Sequence, residues 1–397
     1  MQGGAPGLKR RKIIIGQKEE VRQWAFGCYF SGCISDELQR RQKFSSGESC
    51  AINNAAAPPP AIVAISDSSV HLWVLGQSDV SWSDKPGGRR NHFEYEIYMK
   101  DCLILWGRDP RDKPAVNGNV LQAGAHEYQF QYVLPKSLPS SFESQDVQFK
   151  GRVHYILRAK LDTPDESVRS NSDRIFLVLS VMDLNKEHSA GESVQLRREK
   201  QMCCCCCKSG PISCVLRLDR TGYVPGEDIN LDAELSNMSR KEVAASYVTM
   251  QQIVHYHAHG ISRMTSSDIF RISGGKIKCG DNAFYHDIIH IPPLPPSRLD
   301  GCRLIDIDYV ITIGVQPTGN GAAVEVNVPI VIGTVPLNFV VPQGLSVSPS
   351  FSRYSHSSGE IEDYGAQDFE RGKFQHVYTY YKSLYKRAET MSITEVT

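Results

Sequence analysis

The stretch Gly210–Leu235, GPISCVLRLDRTGYVPGEDINLDAEL, decides how this chain is to be read. In its second half Ile229, Leu231, Ala233 and Leu235 are apolar, and Asp228, Asn230, Asp232 and Glu234 between them are polar. A period of two gives a strand one face for a core and one for water. The run that follows Gly210 alternates in the same manner, and Gly and Pro punctuate the join between the two runs.

Outward from that stretch the same period recurs. Val153, Tyr155, Leu157, Ala159 and Leu161 share one face; so do Ile305, Ile307, Tyr309, Ile311 and Ile313, and again Val324, Val326, Val328 and Ile330. No long helical pattern competes. Strands with a single apolar face bury it by packing two antiparallel sheets face to face, so the expected class is all-β, built from β-sandwiches. The pattern is also duplicated. AGAHEYQFQYVLPKSLPSSF from Ala123 and CGDNAFYHDIIHIPPLPPSRL from Cys279 give the same order of Gly, aromatic strand, Pro and Pro-Ser, each followed by a long alternating strand. Residues 61–76 stand to the first copy as residues 244–260 stand to the second. Repetition on this scale predicts two similar sandwiches in tandem.

Composition narrows the function. The 44 basic residues balance the 44 acidic ones, which argues against a nucleic-acid binder and its basic footprint. The basic run Lys9 to Lys12 reads as a solvated charge cluster. The most apolar window, from Val328, is short and broken by Pro329 and Pro336, so no span of bilayer length is expected. No secretory leader is read at the N-terminus, so the expected setting is cytosolic, with the 12 cysteines reduced. There is no phosphate loop, nucleophile elbow, HExxH or framed carboxylate pair, so an enzyme is not expected.

At this point the chain resembles the arrestin family, in its arrestin-domain-containing (α-arrestin) branch. GPISCVLRLDRTGYVPGEDI resembles the opening strand pair of the family's C-terminal domain, IPPLPPSRLDGCRLIDIDYVITIGV its proline-rich crossover and next strand, and VPIVIGTVPL its closing strand. LQAGAHEYQFQYVLPKSLPSSFE resembles the corresponding part of the N-terminal domain. The resemblance implies two tandem immunoglobulin-type sandwiches. A strand pair like Gly222–Glu227 is due near residues 30–55, where FSGCISDELQRRQKFSSGESCAINNAAAPPP stands instead, so the first sandwich is expected to be incomplete. The expected division is an atypical, disordered segment over 1–60, an incomplete N-like sandwich over 61–200, a C-like sandwich over 201–340 and a flexible tail over 341–397. It also implies a cytoplasmic adaptor in protein transport, without a cofactor, peripheral at the plasma membrane or endosomes. Its partners would be cytoplasmic segments of membrane proteins, endocytic adaptors and ubiquitin ligases. The ligase route lacks its usual Pro-Pro-x-Tyr motif: Pro58 to Pro60, Pro292-Pro293 and Pro295-Pro296 all lack the tyrosine. Rival readings are an arrestin-fold subunit of a retromer-like sorting coat and a cysteine-cluster metal binder.

Individual motifs divide between chemistry and architecture. Cys203, Cys204, Cys205, Cys206 and Cys207 form one run between the two repeats. They read as a connector, as acceptors of thioester-linked acyl chains or, least well, as zinc ligands, which ordinarily come in spaced pairs. His255, His257 and His259 alternate opposite Val254, Tyr256 and Ala258, which turns them towards solvent. Leu304–Asp308 matches a clathrin-box pattern but alternates as a core strand, and Pro293–Arg298 matches an SH3 ligand at a sheet crossover. In the tail, Tyr381-Lys382-Ser383-Leu384 is a YxxΦ pattern of the kind read by adaptor complexes, with Tyr381 and Leu384 as the contacts. The competing reading is a short amphipathic helix carrying Tyr378, Tyr381 and Tyr385.

Overall fold

The computed structural model describes residues 65–66, 68–84, 91–108, 120–121, 126, 128, 130–163, 170–202, 209–319, 322–341, 349–354, 360–363, 374–382 and 384. The segment expected over 1–60 and the run Cys203 to Cys207 lie outside the described residues. The first strands are β1 (Ile65–Ser66), β2 (Ser69–Ser83), β3 (Asn91–Trp106), β4 (Val120–Leu121), β5 (Phe142–Glu143), β6 (Phe149–Asp162), β7 (Ser170–Phe176) and β8 (Val194–Gln201). Then come β9 (Pro211–Leu218), β10 (Gly222–Tyr223), β11 (Asp228–Asn237), β12 (Val243–Ala258), β13 (Ile261–Gly274) and β14 (Asn282–His290). The series closes with β15 (Ile305–Pro317), β16 (Val324–Ile332), β17 (Ser350–Tyr354), β18 (Ile361–Asp363) and β19 (Tyr378–Tyr380).

The second sandwich is complete in two layers. One sheet runs β10-β16-β15-β12-β13 and the other β14-β11-β9-β8. The quoted stretch supplies β9, β10 and β11, and its alternation does what the period requires. Ile229, Leu231, Ala233 and Leu235 are buried, as are Cys214, Leu216 and Leu218 opposite them. They share one core with Val248, Met250, Ile311, Ile313 and Val326 of the facing sheet. The first sandwich has a main sheet in the order β3-β2-β6-β5, with β7 also on β6. Among the described residues its opposite layer holds only the two-residue pair β1-β4 and the irregular segment in which Phe130, Tyr132 and Leu134 pack on the core.

The duplication extends to single hydrogen bonds. The order β3-β2-β6 repeats as β13-β12-β15. Tyr155 of β6 donates to the Pro139 carbonyl at 2.7 Å, and Tyr309 of β15 donates to the Pro295 carbonyl at 2.8 Å. Ser141 accepts from the Val178 amide and Ser297 from the Ile332 amide, both at 2.9 Å. In each unit the Pro-Ser crossover thus ties a long strand to a later segment, the chain just after β7 in the first and the end of β16 in the second, through groups that burial would otherwise leave unpaired. Pro292 to Ser297 are buried in that role, as are Ile305 and Ile307 of the LIDID match.

Strand β8 differs from the expected division at 200/201. It pairs along its whole length with β9, so residues 194–201 belong to the second sandwich. The alternation that would have marked this is absent, because β8 is an outer strand with mostly exposed side chains. The chain between β7 and β8 also packs on the second unit. Leu184 and Ala190 are buried there, and the Met182 amide and carbonyl bond to Thr334.

The two units meet in a continuous apolar contact. Phe149 stacks on Tyr256 with centroids 5.9 Å apart, and Gly151 lies so close that a Cβ there would stand 2.7 Å from a Tyr256 ring carbon. Beside it Arg303 donates to Glu96 at 2.8 Å, and the His259 amide and ring donate to Glu94 and to the Phe93 carbonyl. Among the described residues no helix is long and apolar enough to cross a membrane.

Candidate functional site

The tail returns to the body of the protein. β19 pairs with β17, which also pairs with β18, in a small sheet of its own. Residues 378–380 are therefore extended, and a helical turn starts only at Tyr381, whose carbonyl accepts from the Leu384 amide at 3.1 Å. The helix carrying Tyr378, Tyr381 and Tyr385 does not form across 378–380, because that segment is committed to a ladder.

Tyr381 is buried, with 3% of its surface exposed. Its ring packs with Leu184, Ala190, Val224 and Leu337, and Leu384 covers the cluster from outside. Its hydroxyl donates to the Thr334 carbonyl at 2.6 Å, and its amide donates to the Pro225 carbonyl at 2.9 Å. Gly226 makes the approach feasible. Its φ is +99°, and a Cβ on it would stand 2.6 Å from the Tyr381 carbonyl oxygen. Burial holds the Tyr381 phenol above its ordinary pKa, and the nearby Glu227 charge pushes the same way.

The neighbouring tyrosines fix the line of the tail. Tyr380 bonds to His290 at 2.8 Å, and His290 bonds on its other side to Asp228 at 2.9 Å. Tyr378 and Val377 are buried. Further back Phe374 stacks on His154 of β6, 5.1 Å away and nearly parallel, while His154 bonds to Glu143 at 2.9 Å. That bond holds the Glu143 carboxyl below its ordinary pKa. Residues 374–381 thus cross from the first unit to the second.

Under this groove lies the Gly222–Glu227 turn. Tyr223 is buried and donates to Asp219 at 2.8 Å, with the Arg220 guanidinium 4.5 Å from its ring centre. Glu227 accepts from the Val224 amide at 2.9 Å and lies 3.5 Å from Arg220. Burial pushes the Glu227 carboxyl up despite Arg220, and its Oε1 finds no hydrogen-bond partner among the described residues. The turn therefore carries an under-satisfied buried carboxylate beside the docked tail.

A second feature is the end strand β3. Phe93, Tyr95 and Ile97 occupy alternate positions on one face and are each more than half exposed. On the other face Glu94 and Glu96 reach the second unit as described above. The three histidines face outward and are individually engaged: His255 with Asp308 at 3.2 Å, His257 with Ser262 at 2.8 Å and His259 with the Phe93 carbonyl at 2.9 Å.

Sequence reading singled out Tyr381 and Leu384 but not their receptor. Leu184, Val224, Pro225, Thr334 and Leu337 come from three separated segments, and no local pattern joins them. The one signal available was Pro225-Gly226, a turn whose glycine allows another backbone to come near.

Comparison with known proteins places both sandwiches. The family model of the arrestin (or S-antigen) N-terminal domain matches residues 64–185, and that of the arrestin C-terminal domain matches residues 208–337. Similar curated proteins include arrestin domain-containing protein 1 of Homo sapiens, 29% identical over 232 residues, covering 58% of this chain and 52% of that protein. Arrestin domain-containing protein 4 of Homo sapiens is 28% identical over 326 residues, covering 80% of this chain and 74% of that protein. Arrestin domain-containing protein 17 of Caenorhabditis elegans is 30% identical over 288 residues, covering 68% and 63%. The chain spans about half the length of the first of these relatives and about three quarters of the second.

Proposed function

This chain belongs to the arrestin family, in its arrestin-domain-containing branch, and from that premise we propose that it is an adaptor. It binds cytoplasmic segments of membrane proteins and links them to endocytic, ubiquitination and transport machinery. The observation that carries this reading is the tandem arrangement itself, two arrestin-type sandwiches joined in one body with an extended tail. Such a body offers strand edges and sheet faces for recognition, and recognition of an extended segment needs no reacting group. The exposed Phe93, Tyr95 and Ile97 on the end strand β3 suit an incoming strand, whose main chain pairs with the edge while its side chains meet the stripe.

Two attachments complete the proposal. Cys203 to Cys207, in the connection from β8 to β9 of the second sandwich, accept acyl chains that hold the protein peripherally at a membrane; two chains anchor far more firmly than one. Tyr381 and Leu384 contact an adaptor complex when the tail is released. A ligase would be recruited by a surface other than Pro-Pro-x-Tyr.

The experiment is capture of membrane proteins by the tagged full chain in cells, followed by surface-internalisation assays of those captured. Membrane proteins enriched over a tag control, whose uptake slows when the chain is depleted, support the reading. Replacing Phe93, Tyr95 and Ile97 together by Asp should lower capture without lowering Tm. A catch lacking membrane proteins, or uptake indifferent to depletion, would overturn the reading.

A further inference from the structure

We propose that the end strand β14 joins two copies of this chain, pairing antiparallel with β14 of the second copy about a two-fold axis at His286. The inference goes beyond the adaptor reading and does not depend on it.

Strand β14 closes one side of the sheet β14-β11-β9-β8, and among the described residues no strand pairs with its far side. The Ile291 amide donates to the Glu227 carbonyl at 3.0 Å. Counting back by twos, the main-chain groups of Ile289, Asp287, Tyr285 and Ala283 turn towards β11. Those of Ile288, His286 and Phe284 open outward. The same three residues carry the exposed side chains: Phe284 is 59% exposed, Ile288 67%, and the His286 ring lies nearly parallel to that of Phe284 with centroids 6.4 Å apart. An apolar stripe therefore runs along a row of open donors and acceptors.

Edges of this kind are ordinarily protected from their own copies by charge, proline or a bulge. Strand β3 carries Glu94, Glu96 and Lys100 and meets β2 in a bulged register. Strand β13 carries Arg263 and Arg271 and is also bulged, and β8 is rich in Arg and Lys. Strand β14 has no Lys, Arg or Pro, and its nine-residue register with β11 is unbroken. The acidic row of β11 beside it is already balanced. Asp232 lies 3.1 Å from His286 and 3.2 Å from Arg217, which also reaches Glu234 at 3.6 Å. A second copy meets no excess charge there.

Self-complementarity selects both the occupant and the register. With the axis at His286, each exposed Phe284 lies opposite Ile288 of the second copy, and Asp287 lies opposite Tyr285. Centring the axis on 287 would set Asp287 against its own copy; centring it on 285 would leave Ile288 opposite Asn282. The favoured register joins the two four-stranded sheets into one of eight strands. Its core, Phe284 to Ile288, is about 17 Å long, so the dimer is a small, reversible one.

The test is sedimentation equilibrium of the natural full-length chain up to about 100 μM, the range in which so small a contact forms. A monomer–dimer equilibrium is expected. Ile288→Lys, at an exposed position, should weaken it roughly tenfold or more, whereas Tyr95→Asp on the end strand β3 should leave it unchanged. His286→p-benzoylphenylalanine, irradiated in a mixture of ¹⁴N and ¹⁵N chains, should cross-link one copy to Phe284–Ile288 of the other. A chain that stays monomeric throughout, a dimer indifferent to Ile288→Lys, or cross-links falling outside β14 would each overturn the proposal. No membrane protein enters these measurements, so the dimer and the adaptor reading can fail separately.

Discussion

The Tyr309 hydroxyl is held 2.8 Å from the carbonyl oxygen of Pro295, inside the second sandwich and fully out of water. The same hydroxyl accepts from the Gln252 side chain at 2.8 Å, so it joins the crossover, β15 and β12 at one point. Tyr155 repeats the relation with Pro139 in the first sandwich. Tyr309→Phe should therefore cost about 2 kcal/mol, leaving both a buried carbonyl and an amide donor unpaired, and Tyr155→Phe about 1 kcal/mol. Urea denaturation of the two variants checks the size and the order. Equal or negligible losses would mean that water satisfies the carbonyls.

The joint between the units should be intolerant of even one methyl group. Gly151→Ala places a Cβ about 2.7 Å from the Tyr256 ring and 3.1 Å from the Ile305 side chain. Overpacking of this kind costs roughly 1–3 kcal/mol, because both neighbours are buried and held by strands. Calorimetry should show a Tm lower by several degrees, and hydrogen exchange should quicken first in β6 and at the start of β15. An unchanged Tm would mean that the two units yield to each other at the joint.

Asp306 gives a pH-dependent prediction. Its carboxyl is raised above its ordinary value of 3.8, by burial first and by the neighbouring Asp308 next. A raised carboxyl keeps its proton longer folded than unfolded, so its ionisation costs stability as pH climbs from the unfolded value through the folded one. Asp306→Asn keeps the acceptor for the Ile307 amide and removes the charge. The variant should gain about 1 °C or slightly more in Tm at pH 7, and the gain should vanish near pH 3, where the natural carboxyl is also neutral. A gain that persists at pH 3 would show that charge is not its origin.

The cysteine run is predicted to act outside the folded body. Replacing Cys203 to Cys207 with Ser should leave Tm within about 1 °C. The change should abolish hydroxylamine-sensitive acyl labelling and shift the protein from the membrane fraction to the supernatant. Labelling that survives the replacement would move the acylation site elsewhere.

Local pattern was enough for the sheets. The alternation in β11, β15 and β16 names the inward side chains one by one, because a strand with one buried face must repeat every two residues. The duplicated Gly, Pro-Ser and aromatic order likewise announces two units, since each sandwich needs its own crossover. The strand β8 escaped notice because an exposed outer strand has no apolar face to reveal it.

What only the tertiary structure decided is the fate of the tail. Tyr381-x-x-Leu384 reads as an exposed signal on a flexible segment, yet Tyr381 lies buried against residues between 40 and 200 positions away. That groove forms from the connector, the Gly222–Glu227 turn and the segment after β16. A contact of this kind depends on which surfaces the two folded sandwiches bring together, and sequence spacing carries no record of it. The chain alone thus specified the layers; their packing determined where a tyrosine could be hidden.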